Sequence, residues 1–293
     1  QYVNQASEPL TEVAYMVNSM QSALASLERV YDLLDEEEIS TDPAVPSTIN
    51  EARGAVEFKN VRFGYTPDRI LMKDINFSVK PGQKVAVVGS TGAGKTTLIN
   101  LLMRFYELNG GAIFLDGVDT KEMNRSALRS NFGMVLQDTW LFGGTIADNI
   151  AYSRPEASRD EIAAAAKAAR VDFFVRTMPH GYDTILNDDT ENISVGQRQL
   201  LTIARVFLCN PSVIILDEAT SSVDTRTEIE IGKAMKALMK NRTSFVIAHR
   251  LSTITDADLI LFMRDGNIIE QGTHKTLLQK NGAYAELYYS QFA

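Results

Sequence analysis

Short apolar runs alternate with amphipathic stretches along most of this 293-residue chain. Residues 85–88, 213–216 and 243–248 are nearly continuous in apolar side chains, which is typical of strands buried on both faces of a parallel sheet. Several segments between these runs carry apolar residues at helical spacing. The two patterns together predict an α/β fold in which strands and helices follow one another.

The first fifty residues have a different pattern. Apolar side chains recur at helical spacing, with polar residues between them, and predict one long amphipathic helix over residues 3–34. An acidic run at 35–38 and then Pro43 and Pro46 indicate a solvated linker. We therefore expect residues 1–50 to lie outside the compact domain.

Alternating apolar and polar residues predict a small antiparallel layer near 56–65 and 75–79. Strand pairs with turns at Asp116-Gly117 and Asp265-Gly266 are predicted as well. Another apolar strand, 133–136, ends at Gln137.

The pattern is helical between residues 138 and 209, where Ser158–Glu161 and Ser194–Gln197 have the spacing of capping boxes. The resulting prediction has a compact domain over 54–293. It consists of a core with a β-subdomain (54–137 and 210–275), a helical insertion (138–209) and C-terminal helices (276–293).

A glycine-rich loop follows the first buried strand. From Gly89 to Thr96 the spacing is G-x-x-x-x-G-K-T, and the apolar positions after it recur at helical intervals, so the loop joins a strand to a helix N-terminus. Backbone N–H groups of such a loop bind phosphate, assisted by the helix dipole. We expect Lys95 to reach the β- and γ-phosphates and the Thr96 hydroxyl to be a ligand of Mg²⁺.

Two further buried strands end in side chains suited to chemistry. Asp217 and Glu218 follow strand 213–216, and His249 follows strand 243–248. Ligands of open α/β sheets bind at the carboxyl ends of strands, so these groups are expected to meet the phosphate loop. Asp217 is expected to be the outer partner of Mg²⁺, Glu218 to deprotonate or orient a water, and His249 to hold the γ-phosphate or that water.

Composition narrows the class of protein. Lys and Arg number 29 against 37 Asp and Glu, and the net charge of −8 argues against a broad attraction to nucleic acid. Cys209 is the single cysteine, so no intrachain disulfide can form and a reducing cytosol is expected. No apolar run is long enough to predict a bilayer span. The first residue is Gln1 rather than Met, and we expect that preceding sequence has been removed.

With these motifs in order, the chain resembles the nucleotide-binding domain of an ATP-binding cassette (ABC) exporter of the multidrug or lipid type. The resemblance covers residues 54 to about 290, and it implies a P-loop NTPase (RecA-like) core with an antiparallel β-subdomain and an inserted α-helical subdomain. The matching motifs beyond the phosphate loop are the adenine-stacking aromatic Tyr65, Gln137 of the Q-loop, the signature 194–197, Walker B at 215–218, the D-loop 222–224 and His249 of the H-loop.

The resemblance implies an ATPase that uses ATP and Mg²⁺ and couples hydrolysis to transport. The catalytic residues that it implies are Glu218, His249, Gln137 and Lys95, and the metal ligands are Thr96, Gln137 and Asp217. The implied nucleotide contacts are Tyr65, Gly89, Ser90, Thr91, Gly92, Ala93, Gly94, Lys95, Thr96, Thr97, Ser194, Gly196 and Gln197.

The resemblance also implies partners. Two such domains pack head to tail with two ATP molecules between them, so a second nucleotide-binding domain is expected, with Ser194 serving its ATP. A transmembrane domain is expected before residue 1, with residues 1–50 continuing its last helix at the cytoplasmic face of a plasma or inner membrane, while this fragment is itself soluble. Val195 departs from the usual L-S-G-G-Q signature, which indicates half of a heterodimer or a tolerant homodimer.

Three other readings of the same motifs remain. A soluble ABC protein acting on nucleic acid or ribosomes is disfavoured by the acidic balance, the single cassette and the amphipathic N-terminal helix. A small-molecule kinase or GTPase would leave the Ser194 helix without a role, and no N-K-x-D guanine motif occurs. A regulatory nucleotide switch without turnover is supported by Val195 alone.

Overall fold

A computed structural model describes residues 2–36, 38–49, 51–66, 68–136, 139–187, 192–217, 223–248 and 251–292. Residues 1–41 form one compact unit and residues 42–293 a second.

The strands, in chain order, are β1 (Val56–Phe63), β2 (Met72–Val79), β3 (Lys84–Val88), β4 (Gly110–Leu115), β5 (Val118–Asp119), β6 (Phe132–Val135), β7 (Gly144–Thr145), β8 (Ile185–Leu186), β9 (Val213–Asp217), β10 (Thr243–Ile247), β11 (Leu259–Arg264) and β12 (Asn267–Gly272).

The α-helices are α1 (Tyr2–Leu34), α2 (Lys95–Leu102), α3 (Arg125–Arg129), α4 (Ile146–Ile150), α5 (Arg159–Ala168), α6 (Asp172–Thr177), α7 (Val195–Cys209), α8 (Thr225–Met239), α9 (Leu251–Thr255), α10 (His274–Lys280) and α11 (Ala283–Phe292).

The central sheet has the order β12-β11-β3-β10-β9-β6. β3 pairs parallel with β10 and β11, and β9 pairs parallel with β10 and β6, whereas β12 joins β11 antiparallel. The predicted apolar runs form the centre of this sheet, and their side chains are buried on both faces. The carboxyl ends of β3, β9 and β10 therefore meet at one edge, as the pattern predicted.

The predicted antiparallel layer is confirmed as a second sheet of order β2-β1-β4-β5. Phe58 of β1 stacks on Phe77 of β2 with ring centroids 4.4 Å apart. The apolar face of this sheet and one face of the central sheet enclose the same hydrophobic cluster, which contains Leu98 and Ile99 of α2. Helix α2 is thus fixed from both sides.

The predicted helical insertion contains α4, α5, α6 and the whole of α7. The capping boxes at Ser158–Glu161 and Ser194–Gln197 are confirmed, since side chain and backbone exchange hydrogen bonds at both helix starts. The structure adds a short antiparallel pair, β7 with β8, that the pattern did not predict. Two-residue strands are too short to show an alternation.

The predicted amphipathic helix is confirmed as α1, and its apolar stripe, including Met20, Leu24 and Leu27, is exposed. In the described part of the chain, no helix is both long and apolar enough to span a membrane.

Residues 42–49 differ from the solvated linker that composition predicted. The Asp42 carboxylate bonds to Arg125, the Ser47 N–H donates to the Glu122 carbonyl, and Ile49 packs on the core. An ion pair with a distant residue fixes this segment, and composition does not reveal such a pair.

Candidate nucleotide-binding site

The loop between β3 and α2 presents backbone N–H groups to its concave side. Gly94 occupies the N-cap of α2 with φ 100°, a left-handed conformation that favours glycine, and no side chain caps the helix start. The first N–H groups of an α-helix have no partner within the helix and carry its positive partial charge. The start of α2 is therefore built to receive an anion.

Close packing holds this loop in place. A Cβ on Gly89 would lie 2.3 Å from the Met263 carbonyl oxygen of β11, so no other residue fits there without displacing backbone. The Gly266 N–H donates to the Ala93 carbonyl at 3.0 Å and ties the loop to the turn after β11. Ala93 itself is buried, so it supports the loop from below.

Lys95 lies at the mouth of the loop and is 9% exposed. Its Nζ donates to the carbonyl oxygens of Gly89, at 2.7 Å, and Ser90, at 2.9 Å. Burial lowers the pKa of Lys95 from its ordinary value, and the nearby Asp217 carboxylate partly offsets that effect. A phosphate entering the loop would offer the ammonium group stronger, charged acceptors than these carbonyls.

A cleft of about 390 Å³ brings the predicted phosphate site together with the carboxyl end of β9. Its walls carry a hydroxyl and a carboxylate, the hard oxygen ligands that Mg²⁺ prefers, beside the lysine. The residues present therefore fit a magnesium–nucleotide complex. The lining residues are Tyr65, Leu71, Thr91, Gly92, Gly94, Lys95, Thr96, Thr97, Asp217 and Ile247.

Tyr65 forms one wall of this cleft, and the residue is 55% exposed. Its hydroxyl oxygen lies 2.8 Å from Thr97 Oγ1, in the first turn of α2. Tyr65 is thus joined directly to the helix that follows the predicted phosphate loop. An exposed aromatic face beside a phosphate site is suited to stack a nucleobase.

The signature residues lie at the start of α7 and do not line the cleft. The Gln197 N–H donates to Ser194 Oγ at 3.2 Å, and the Ser194 N–H donates to Gln197 Oε1 at 2.9 Å. Val195 is exposed at the first helical position. Gly196 is buried against α8, and a Cβ there would lie 2.3 Å from Thr227 Cγ2. The close packing of α7 on α8 therefore explains why this position is a glycine.

Gln137, Glu218, Ser222 and His249, four residues to which the sequence assigns catalytic or D-loop roles, lie outside the described residues. The strands that lead to Gln137, Glu218 and His249 end at Val135 in β6, Asp217 in β9 and Ile247 in β10, with β9 between the other two. Their roles remain predictions.

Sequence reasoning missed Tyr106, whose ring centroid lies 5.2 Å from that of Tyr65. The available signal was an aromatic pair, Phe105-Tyr106, directly after the helix that carries the phosphate loop. Leu71 and Ile247, which line the cleft, were also missed because they read as ordinary apolar positions.

A larger cavity of about 450 Å³ lies between α8 and α9. Aliphatic side chains such as Ile231, Met235 and Val246 form much of its wall. The predicted phosphate loop does not line it, so this cavity is separate from the predicted nucleotide site.

Comparison with known proteins agrees with this geometry. The family model described as "ABC transporter" matches residues 72–221. The chain is 56% identical to the fatty acid ABC transporter ATP-binding/permease protein of Mycobacterium bovis. The match covers 98% of the chain and 45% of that protein. The chain is also 42% identical to a Bacillus subtilis protein whose name describes a multidrug export ATP-binding/permease protein. That match covers 98% of the chain and 50% of the Bacillus protein.

The chain is also similar to a solved structure of a bacterial Atm1-family ABC exporter with ATP bound, with a TM-score of 0.82 and 40% sequence identity. The similarity covers 100% of this chain and 51% of the exporter chain. The chain thus spans about half the length of the proteins it matches. The family match includes the phosphate loop and β9, on which the cleft is built. The chain belongs to the ABC transporter family.

Proposed function

We propose that this domain binds ATP with Mg²⁺, hydrolyses the ATP and thereby drives efflux through a membrane-spanning part of the same protein. The observation that carries the proposal is the cleft itself. Lys95, Thr96 and Asp217 line one space with the start of α2, which has a glycine at its N-cap, and Tyr65 forms the aromatic wall of that space.

Each of these groups has a role toward the substrate. The triphosphate lies in the loop, where backbone N–H groups and Lys95 donate to its oxygens. Thr96 and Asp217 would hold Mg²⁺, which would neutralise charge on the phosphates, and Gln137 is a further proposed ligand. Tyr65 stacks on the adenine ring.

Hydrolysis is assigned to Glu218 and His249, the residues that follow β9 and β10 in the chain. The Glu218 carboxylate accepts a proton from a water as the water oxygen attacks the γ-phosphorus, and the bond from that phosphorus to the oxygen of ADP breaks. His249 orients the water or the γ-phosphate.

A second domain completes the site. Ser194, Gly196 and Gln197 lie away from the cleft of their own chain, at the start of a different helix, which supports a role toward the nucleotide of a partner. The relatives named as ATP-binding/permease proteins are about twice as long as this chain, which supports a fused transmembrane domain.

The test is ATP hydrolysis measured against protein concentration, with size-exclusion chromatography in Mg-ATP. Turnover is expected to rise more than linearly, because two domains enclose each nucleotide. Glu218→Gln is expected to abolish turnover and trap a dimer, whereas Glu57→Gln, on the exposed side of β1, leaves both unchanged.

Two results would contradict this proposal. A specific activity independent of concentration would remove the need for a second domain. Retained turnover in Glu218→Gln would remove Glu218 as the base. If ATP binds but neither turnover nor a dimer appears, self-association of this chain is excluded and a non-identical partner must supply the signature.

A further inference from the structure

The ring of Tyr65 is held on several sides by other groups. Phe63 and Tyr106 approach it edge to face, with centroids 4.9 Å and 5.2 Å away and interplanar angles of 80° and 89°. Phe63 and Tyr106 also contact each other, at 5.6 Å. With its hydroxyl bonded to Thr97, Tyr65 is restrained by two aromatic rings and at its polar tip.

Ion pairs fix the backbone that carries Tyr106. Arg104 and Glu107, on either side of it, are paired at 2.9 Å, and Arg125 Nη2 bonds to the same Glu107 oxygen at 2.6 Å. The Arg104 side chain is almost fully buried, and its Nη1 also donates to the carbonyl oxygens of Thr120 and Met123. Tyr106 therefore projects from a rigid turn.

The same turn is bonded to the backbone that carries Tyr65. The Asn109 N–H donates to the Arg62 carbonyl at 2.9 Å. The Gly64 N–H, next to Tyr65, donates to Asn109 Oδ1 at 2.7 Å. The two tyrosines thus belong to two segments that are joined by two hydrogen bonds, both through Asn109.

An exposed aromatic side chain ordinarily loses rotamer freedom when a ligand stacks on it, and that loss opposes binding. We propose that Tyr106 is a positioning residue for the nucleotide base: it holds the Tyr65 ring in the orientation that receives adenine. The inference rests on the proposed binding of ATP in this cleft. The energy of one edge-to-face aromatic pair corresponds to a change of about two- to tenfold in a binding constant. We expect a loss of ATP affinity of this size when the Tyr106 ring is removed.

The test is a double-mutant cycle on the full chain with two ligands, ATP and inorganic tripolyphosphate, whose dissociation constants are measured by isothermal titration calorimetry. Tyr106→Leu is expected to weaken ATP about two- to tenfold and to leave tripolyphosphate unchanged, because only ATP carries a base. Tyr106→Phe keeps the aromatic ring and is expected to bind ATP as the wild type does.

The decisive comparison is the Tyr65→Ala background. There Tyr106→Leu is expected to have no further effect on ATP, because the ring that it positions is gone. An equal loss in both backgrounds would mean that Tyr106 contacts the base itself and would overturn the inference. So would an equal loss for tripolyphosphate, which would indicate a general disturbance of the domain.

The two proposals fail in distinguishable ways. A wild type that binds neither ATP nor tripolyphosphate contradicts the proposed function. A wild type that binds both with the same affinity keeps the phosphate site but contradicts the base platform, and with it the role of Tyr106.

Discussion

Thr96 and Thr97 are neighbours in the first turn of α2, yet their hydroxyl groups have different surroundings. Thr96 is exposed on the cleft wall, whereas Thr97 is buried with its Oγ1 bonded to the Tyr65 hydroxyl. Valine has nearly the same shape as threonine without the hydroxyl group. Valine substitutions at the two positions therefore test two roles separately: Thr96 as the proposed metal ligand and Thr97 as the hydrogen-bond partner of Tyr65.

Thr96→Val is expected to abolish the gain in ATP affinity that Mg²⁺ provides, because an oxygen ligand is lost. Thr97→Val is expected to keep that gain and to weaken ATP by about two- to tenfold, the worth of one hydrogen bond that orders Tyr65. Calorimetric titration of ATP with and without Mg²⁺ measures both. Identical behaviour of the two variants would contradict the assignment.

The titration of Lys95 gives a second expectation. Burial lowers the pKa of this lysine below its ordinary 10.5, so its proton is lost at a lower pH than from a solvated lysine. Binding of Mg-free ATP is expected to be tight while the ammonium group is charged. It should weaken as pH rises through the lowered pKa, before pH reaches 10.5.

Lys95→Arg is the control, because a guanidinium keeps its proton throughout this range. Its ATP affinity, even if lower, is expected to vary little where the wild type loses affinity. Fluorescence titrations with a labelled ATP analogue at a series of pH values would measure this. A wild-type profile as flat as that of the variant would show that Lys95 does not titrate there.

Helices α7 and α8 pack closely at Gly196, and this contact leaves no room for a side chain at that position. A Cβ at Gly196 would lie 2.3 Å from Thr227 Cγ2 and 2.9 Å from Val223 Cγ1. A Cβ at Gly232, inside α8, meets no atom of the described residues within 4 Å. The two glycines thus have opposite surroundings on the same helix pair.

Gly196→Ala is expected to lower the free energy of unfolding by about 1–3 kcal/mol, because the added methyl group pushes the helices apart. Gly232→Ala is expected to raise it by about 0.5–1 kcal/mol through helix propensity alone. Urea denaturation of both variants gives the two values. Stabilisation by Gly196→Ala would show that the helices separate without cost.

Patterns within one helix or strand were read correctly from the sequence. The runs that became β3, β9 and β10, the turn Asp265-Gly266 and the capping box at Ser194 depend on residues a few positions apart, whose chemistry fixes the local backbone. The pair β7 and β8 was missed because its strands form only through their contact with each other.

Ion pairs join the first residues of the second compact unit to the rest of that unit. Asp42 Oδ1 lies 2.7 Å from Arg125 Nη1 and 3.7 Å from Arg104 Nη1, and both arginine side chains are largely buried. Glu107 bonds to the same two arginines. Two carboxylates and two guanidinium groups thus join the 42–49 segment to the turn that follows α2.

Asp42→Ala is expected to lower the free energy of unfolding by about 1.5–3 kcal/mol, because it removes hydrogen bonds to a buried charged group. Glu57→Ala removes the exposed pair with Lys59 and is expected to change stability by less than about 1 kcal/mol. Urea denaturation tests both. In an Arg125→Ala background the Asp42→Ala effect should shrink, and an undiminished effect would contradict the pairing.

The sequence by itself determined the α/β core, the order of its elements and a glycine-rich loop between a strand and a helix. It also placed Lys95, Thr96 and Asp217 at one sheet edge, because the carboxyl ends of parallel strands meet there. Each of these conclusions follows from a local period or from a rule about sheets. The signal is therefore present in the order of residues.

The tertiary structure alone decided the contacts between distant side chains. Asp42 and Arg125 are 83 positions apart, and Tyr65 meets Tyr106 through segments that only the folded sheet brings together. Gly196 shows the same limit, since its close neighbour Thr227 lies on another helix. Hydrophobic period and local backbone preference carry no information on such pairs, because the packing of elements, and not the sequence near either residue, sets their distance.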